Sequence, residues 1–181
     1  MDAGCSFALN ELESRFISPT TKLLIAQRHQ LNYWIPSAIQ QLIARPASLF
    51  KPSEYQALGV RNLFVLERVR TQIQHYRLCI AFHAPSVLHS DKHCDEKEAC
   101  SEAWEAAWEA AWWGGFAKHY LHPDMPATPQ EAIKELSNAF IPGVTTECQV
   151  GTVEWVVSKG VLEKENEFIT SAIADMTDVL T

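Results

Sequence analysis

The sequence predicts an all-α protein, an irregular array of about eight or nine helices. Apolar residues recur every three or four positions over most of residues 7–180, which is the period of helices buried along one face. Few stretches alternate apolar and polar residues with period two, so little of the chain suits a half-buried strand. Proline, glycine and hydroxyl residues separate the helical stretches where helix starts and stops are expected.

The first predicted helix covers residues 7–17 and ends at a Ser-Pro pair. Thr20 or Thr21 is expected to cap the next helix, since a threonine oxygen accepts a hydrogen bond from a free N–H of the first turn. Pro36 suits the first turn of a third helix, because its fixed φ is helical and its missing N–H is not needed there. Pro46 is expected to stop that helix.

A short helix is predicted to follow Ser53 and to extend through Leu58, with Gly59 at its end, because glycine adopts the left-handed conformation that closes a helix. Residues 61–80 then form a longer helix with apolar residues along one side. This helix is mildly basic, and we interpret its arginines as a solvated face. They are Arg61, Arg68, Arg70 and Arg77.

Residues 82–100, FHAPSVLHSDKHCDEKEAC, have no helical period, contain a proline and are rich in histidine, aspartate and cysteine. This composition is typical of an internal loop. We therefore divide the chain into an N-terminal helical segment 1–81, a His/Cys-containing loop 82–99 and a Trp-rich helical segment 100–181. The two helical segments are expected to pack together as one domain.

After the Trp-rich helix, the sequence predicts a proline-rich corner at HPDMPATP and then three more helices. The first covers about residues 129–139 and is followed by a turn at Pro-Gly. The second covers 147–159 and stops at Gly160. The last has apolar residues at helical spacing, namely Phe168, Ile169, Ala172, Ile173 and Met176.

Composition limits the functional classes. Of the 181 residues, 47% are hydrophobic and 20% are charged, which is enough for a packed core. A net charge of −7 argues against nucleic acid and against anionic membrane surfaces as partners. The first residues lack the basic and apolar parts of a secretory signal, so we expect an intracellular location, cytoplasmic or nuclear. Five irregularly spaced cysteines favour free thiols or metal ligands over a disulfide framework.

The stretch CSEAWEAAWEAAWWGG, residues 100–115, repeats tryptophan at four-residue spacing. On a helix, Trp104, Trp108 and Trp112 lie along one broad stripe, with alanines beside them and glutamates on the other side. We expect this stripe to be buried against helices of the 61–80 and 147–180 regions. If the three rings were exposed instead, they would form a partner-binding surface.

Side chains that bind zinc gather around the predicted loop. Imidazole nitrogen and thiolate sulfur are preferred donors for this metal. Cys100 and Cys148 are the first two expected ligands, because each lies near the start of a predicted helix. His93 or Cys94 would supply the third ligand, and His89 or a water the fourth. No C-x₂-C pair occurs, so a solvated histidine-rich loop with buried cysteines is the alternative.

Four stretches resemble the region that follows the BTB (POZ) domain in the expanded BTB-protein families of mushroom-forming fungi. They are TTKLLIAQRHQLNYWIPSAIQQLIARP, SEYQALGV, CSEAWEAAWEAAWWGGFAKHYLHPD and IPGVTTECQVGTVEWVVSKGVLEKENEFITSAI. Together they extend the resemblance over roughly residues 20–175. The resemblance implies a BACK-like helical fold and an adaptor role, such as recruitment of substrates to ubiquitin ligases or to transcriptional complexes.

Two departures from that family bear on function. The BTB fold, which would supply dimerisation, should precede residue 7 and is missing, and at most its last helix remains as residues 7–16. In addition, the family often has a C-x₂-C pair before the TVEWV helix. Here Thr145 stands at the first of those positions and leaves only Cys148.

The leading functional interpretation is a non-enzymatic helical protein–protein interaction module, with protein partners and either no cofactor or a structural zinc. The alternative is a small metal-dependent or thiol enzyme that uses the His/Cys loop 89–100. An enzyme requires a concave pocket with converging polar groups, whereas an interaction module requires a flat or grooved apolar surface.

Overall fold

The computed structural model describes residues 11–12, 16–90, 92–108, 120–122 and 127–177. Within these residues the chain is all-helical, as the sequence predicts, and forms no strand. Seven α-helices occur there, slightly fewer than the eight or nine predicted. They are α1 (Pro19–His29), α2 (Ile35–Ala44), α3 (Pro52–Phe82), α4 (Lys97–Ala107), α5 (Pro129–Asn138), α6 (Thr146–Ser158) and α7 (Glu165–Thr177). Most of the predicted helix 7–17 lies outside the described residues.

The N-cap of α1 lies two or three residues before the predicted one, Thr20 or Thr21. Its N-cap is Ser18, whose Oγ accepts the backbone N–H of Thr21 at 3.2 Å. Pro19 occupies the first helical position, where its missing N–H costs nothing. Thr20, one of the two predicted caps, is buried and donates its hydroxyl to Glu54 at 3.2 Å. The prediction of a threonine cap was therefore wrong, because the capping side chain precedes the proline.

The other predicted helix boundaries are close to the observed ones. α3 is interrupted at Gly59, whose φ of 71° and ψ of 164° are not helical, so the predicted break is confirmed. α5 begins with a capping box, in which Thr128 accepts the N–H of Glu131 and the Glu131 carboxylate accepts the N–H of Thr128. Gly160, after α6, has a φ of 59°. Among the described residues, no helix is both long and apolar enough to cross a membrane.

The chain divides into two compact units, residues 1–70 with 169–181 and residues 71–168. These limits fall inside α3 and α7 and differ from the segment limits at residues 81 and 99 drawn from the sequence.

In the first unit, the buried apolar side chains come mainly from α1, α2, the first part of α3 and the end of α7. They include Leu23, Ala26, Trp34, Ile35, Ile39, Leu42, Leu66, Val69, Ala172 and Met176.

An ion pair links the end of α2 to the start of α3 in the first unit. The Arg45 guanidinium donates two hydrogen bonds to the Glu54 carboxylate, at 2.7 and 3.0 Å. The same carboxylate accepts the backbone N–H of Lys51 at 2.9 Å and the hydroxyl of Thr20. Hydrogen bonding to Arg45, followed by that to Lys51, lowers the pKa of Glu54 to about 2.

The substitution Glu54→Gln is therefore expected to destabilise the protein by roughly 1–2 kcal/mol at pH 7, because it removes the charge of a partly solvated pair. The pKa is lowered in the folded state, so the stabilisation is present above the ordinary value near 4.5 and is lost as the pH falls toward about 2. Urea unfolding of both proteins at pH 7 and pH 3 measures this difference.

Glu67→Gln is the matched control, since the Glu67 side chain is 53% exposed in its pair with Arg70 and is expected to matter little. A difference between wild type and Glu54→Gln that stays constant from pH 7 to pH 3 would contradict the assignment.

The arginines of α3 do not simply form a solvated face. Arg70 donates to the carbonyls of Leu42 at 2.5 Å and Arg45 at 2.7 Å, and so satisfies acceptors at the end of α2. Arg68 pairs with Asp175 within the same unit. Arg61 remains exposed, as predicted. The interpretation was wrong for Arg70, whose carbonyl acceptors lie far away in sequence, whereas the side chains of the Arg68–Asp175 pair are 39% and 43% exposed.

Three hydrogen-bonded polar side chains, those of Arg77, Tyr120 and Glu165, lie beside the apolar core of the second unit. Arg77 donates to both carboxylate oxygens of Glu165, at 2.7 and 2.6 Å. The phenol of Tyr120 donates to the same carboxylate at 3.1 Å, and the Arg77 guanidinium lies 5.0 Å from the centre of the Tyr120 ring. Arg77 is thus a third arginine with a specific structural partner. The surrounding core includes Ile80, Ala81, Trp104, Trp108, Ala132, Leu136, Val153, Val156 and Leu162.

Candidate metal centre

Three parts of the second unit supply the side chains of the candidate metal centre. His89 and Cys94 lie in the segment that joins α3 to α4, whose described residues 83–90 and 92–96 form no helix. The predicted loop 82–99 is confirmed only over this shorter range, because α3 includes Phe82 and α4 begins at Lys97. Cys100 is the fourth residue of α4, and Cys148 is the third residue of α6. Residues separated by up to 59 positions along the chain therefore contribute to one cluster.

Local structure accounts for the position of each element. A turn in which the Cys94 N–H donates to the Ser90 carbonyl at 3.0 Å brings Cys94 back toward His89. The Thr145 hydroxyl caps α6 by accepting the N–H of Cys148 at 3.3 Å. Before that cap, Gly143 has a φ of 88°, and a Cβ there would meet the Cβ of Ala103 at 2.9 Å. Glycine thus permits the close approach of this turn to α4.

The donor atoms of His89, Cys94, Cys100 and Cys148 all lie within 4.8 Å of one another. Within this cluster, His89 Nδ1 and Cys94 Sγ lie 3.4 Å apart. Two thiolates bound to one zinc at about 2.3 Å lie about 4 Å apart in a tetrahedral site. The spacing therefore allows all four groups to bind a single ion after small movements of the side chains.

The cysteines are buried and unpaired by disulfides. Cys94, Cys100 and Cys148 are free thiols in a cluster against which Val87 and Val144 pack. Burial alone does not identify a site, because free cysteine often packs as a small apolar residue. Here, however, three thiols and an imidazole converge on one point, and this is the donor set of Cys₃His structural zinc sites.

The environment acts differently on the three thiols. Burial, followed by the neighbouring thiols of Cys148 and Cys100, raises the pKa of Cys94 to about 11. Burial also raises the pKa of Cys100. Burial acts in the same direction on Cys148, but hydrogen bonds from Thr145, the Ser90 N–H and the other two thiols outweigh it and lower the pKa of Cys148. A metal bound here would displace protons from Cys94 and Cys100.

Of the five residues that the sequence offered as ligands, His93 does not join the cluster. Its side chain is exposed, and its backbone N–H donates to the Ser90 carbonyl at 3.3 Å. Cys94 takes the third position and His89 the fourth, so no water is needed to complete the set. The turn at Ser90 explains this choice, because it directs one of two adjacent side chains inward and the other outward.

Several supporting residues were not foreseen from the sequence. The Ser90 N–H donates to Cys148 Sγ at 3.3 Å. The Leu88 N–H donates to Thr152 Oγ1 at 2.9 Å, and the Thr152 hydroxyl donates to the Cys148 carbonyl at 2.6 Å. Backbone groups beside His89 are thereby bound to α6. Of these residues, the sequence could have indicated Thr152, because it follows Cys148 by one helical turn.

Trp104 of α4 and Trp108, the C-cap residue of that helix, belong to the core. Trp104 and Trp108 are 1% and 5% exposed, and both belong to a cluster with residues of α3 and α6. Their indole N–H groups donate to the carbonyls of Pro85 at 2.9 Å and Ile80 at 3.2 Å. The burial predicted for these two residues is confirmed, so they are not an exposed partner-binding stripe. Trp112 lies outside the described residues.

Comparison of the chain with protein-family models, with curated proteins and with solved structures finds no match. The resemblance to the region that follows the BTB domain therefore stays a prediction.

Proposed function

We propose that this chain is a non-enzymatic helical protein–protein interaction module in which a structural zinc ion is bound by His89, Cys94, Cys100 and Cys148. The observation that carries the metal part of the proposal is the convergence of four donor atoms within 4.8 Å. Zinc would tie the segment 83–96 to α4 and α6 and so stabilise a part of the chain with little regular structure.

The donor set favours zinc over other divalent cations. Thiolate and imidazole are soft or borderline ligands, whereas calcium and magnesium require oxygen ligands. Four protein donors also complete a tetrahedron. A catalytic zinc keeps one position open for water or substrate, so a closed Cys₃His set supports a structural role and a non-enzymatic protein.

The interaction part of the proposal is supported by exposed apolar side chains and by the family resemblance. On α3, Val60 and Phe64 are 86% and 64% exposed and lie one helical turn apart, so they form a small apolar patch in the first unit. Four stretches within residues 20–173 carry the resemblance to fungal BTB adaptors. The patch and the resemblance both support an adaptor role in the cytoplasm or nucleus. Its partners would be proteins rather than nucleic acid or membranes.

The metal part is tested on the purified protein by elemental analysis and by cobalt substitution. We expect one zinc per chain, and we expect Co²⁺ to give the thiolate-to-cobalt charge transfer and the intense visible bands of a tetrahedral sulfur-rich site. Cys79→Ala is the control, because Cys79 is exposed and lies outside the cluster. Substoichiometric zinc together with an octahedral cobalt spectrum would contradict the proposal.

The interaction part is tested by affinity purification with mass spectrometry, comparing wild type with Phe64→Asp. We expect specific partners to be lost from the variant, because a charge replaces the exposed ring of the Val60–Phe64 patch. Gln72→Asp, at another exposed position on α3, is the control for added charge. Identical sets of bound proteins for all three would contradict the assignment of this patch.

One observation favours a thiol enzyme as the second candidate, namely the 3.4 Å contact between His89 Nδ1 and Cys94 Sγ. An activated nucleophile would be alkylated by iodoacetamide rapidly in the native protein. Since burial raises the pKa of Cys94, we expect slow alkylation of Cys94 instead, both with and without zinc. Rapid and selective modification of Cys94 would favour the enzyme.

A further inference from the structure

The two ring nitrogens of His89 have different neighbours. Nδ1 faces the thiol cluster and lies 3.4 Å from Cys94 Sγ. Nε2 points away from the cluster and lies 3.1 Å from the hydroxyl oxygen of Ser101. Ser101 directly follows Cys100 on α4, so one helical turn carries both a thiol of the cluster and the partner of its imidazole.

The chemistry of imidazole links these two contacts. A neutral ring has one nitrogen with a lone pair, which can bind a metal, and one N–H, which can donate a hydrogen bond. If Nδ1 binds the metal, the proton must be on Nε2, and the oxygen of Ser101 is placed to accept it. Such hydrogen bonds fix both the tautomer and the orientation of a metal-binding histidine.

We propose that His89 binds the metal through Nδ1 and that Ser101 is the positioning residue of the site, accepting a hydrogen bond from Nε2–H. This inference rests on the metal centre proposed above. It adds a residue that binds no metal itself and that no spacing of cysteines and histidines indicates.

The different burial of the four ligands implies that Ser101 also affects the rate of metal release. His89 is half-buried, whereas the three cysteines are buried, so His89 is the ligand most open to solvent. Loss of the metal is then expected to begin with release of the His89 ring. A hydrogen bond that holds this ring in place therefore slows metal release as well as strengthening binding.

The test compares wild type with Ser101→Ala and Ser101→Thr in the full chain. Zinc affinity is measured by competition with a chromophoric chelator, and the rate of zinc transfer to the chelator is measured by stopped flow. Ser101→Ala is expected to bind zinc about 10–100-fold more weakly, as is usual when such a partner is lost, and to release zinc faster. Ser101→Thr keeps the hydroxyl and is expected to restore binding.

Ser137→Ala is the matched control, since Ser137 is an exposed helical serine whose hydroxyl donates to the Ile133 carbonyl. It is expected to bind zinc like wild type.

A second readout distinguishes positioning of the His89 ring from a general loss of stability. In ¹⁵N-histidine NMR spectra of the zinc-loaded protein, Nδ1 should have the shift of a metal-bound nitrogen and Nε2 a slowly exchanging proton. That proton should exchange faster in Ser101→Ala.

Zinc affinity of Ser101→Ala equal to that of wild type, or a spectrum in which Nε2 binds the metal, overturns this inference and leaves the metal centre standing. Failure of wild type to bind zinc overturns both.

Discussion

Replacing Cys148 by alanine is expected to abolish stoichiometric zinc binding and to cause one of the two largest losses of stability. The variant loses the one ligand that α6 contributes, so the segment 83–96 is no longer tied to that helix by the metal. A metal that binds the folded state stabilises it by about 4 kcal/mol when its free concentration is about 1,000 times Kd. Urea unfolding at a fixed free zinc concentration measures the difference from wild type.

The chelator experiment separates the metal from the packing of the side chain. In excess chelator, wild type and Cys148→Ala are expected to differ by only roughly 1 kcal/mol, the cost of one missing sulfur atom in the core. Cys79→Ala, whose side chain is exposed, is expected to retain zinc and to unfold like wild type. If Cys148→Ala were equally destabilised with and without chelator, the cluster would be a packed core of thiols.

Trp108→Ala is expected to destabilise the protein by about 3–5 kcal/mol, the usual cost of removing a large buried aromatic side chain. The ring lies 5.9 Å from that of Trp104 and within the core of the second unit. Its loss leaves a cavity and also leaves the Ile80 carbonyl without the indole N–H that now donates to it. The measurement is the free energy of unfolding in urea, followed by far-UV circular dichroism.

Phe140→Ala provides the control for loss of an aromatic ring, because Phe140 is 90% exposed and its removal is expected to change stability by less than about 0.5 kcal/mol. Zinc content should be unchanged in a Trp108→Ala protein that still folds, since Trp108 belongs to the apolar core of the second unit and the three cysteines form a separate cluster. An effect of Trp108→Ala no larger than that of Phe140→Ala would contradict the core assignment.

Local signals in the sequence determined the fold class and most helix boundaries. The break at Gly59, a helix that begins near residue 129 and the glycine at 160 that follows α6 were predicted correctly. Each depends on the backbone preference or hydrogen bonding of residues within a few positions of one another. The burial of Trp104 and Trp108 also followed from spacing alone, because apolar residues at helical period seldom face water together.

The sequence by itself determined which types of residue form the candidate site. It did not determine which of the neighbouring histidines and cysteines come together in it. Cysteine and histidine near residues 89–100 indicated zinc, and Cys148 was included from its place at a helix start. The choice of Cys94 over His93 depended on a turn at Ser90 that has no sequence signature of its own. Adjacent residues have the same local sequence context, so only the direction of the folded backbone distinguishes them.

Tertiary structure alone decided the partners of the charged and hydroxyl groups that bind residues far away in sequence. From the sequence, Arg70 is one more charge on a basic helix, whereas in the fold it donates to carbonyls at the end of α2. Likewise, Ser101 is an ordinary polar residue until the fold places its oxygen 3.1 Å from His89 Nε2. Hydrogen bonds act over about 3 Å, and helical period and capping rules say nothing about groups brought that close from distant parts of the chain. Packing of the whole unit sets those distances, and so it sets the site.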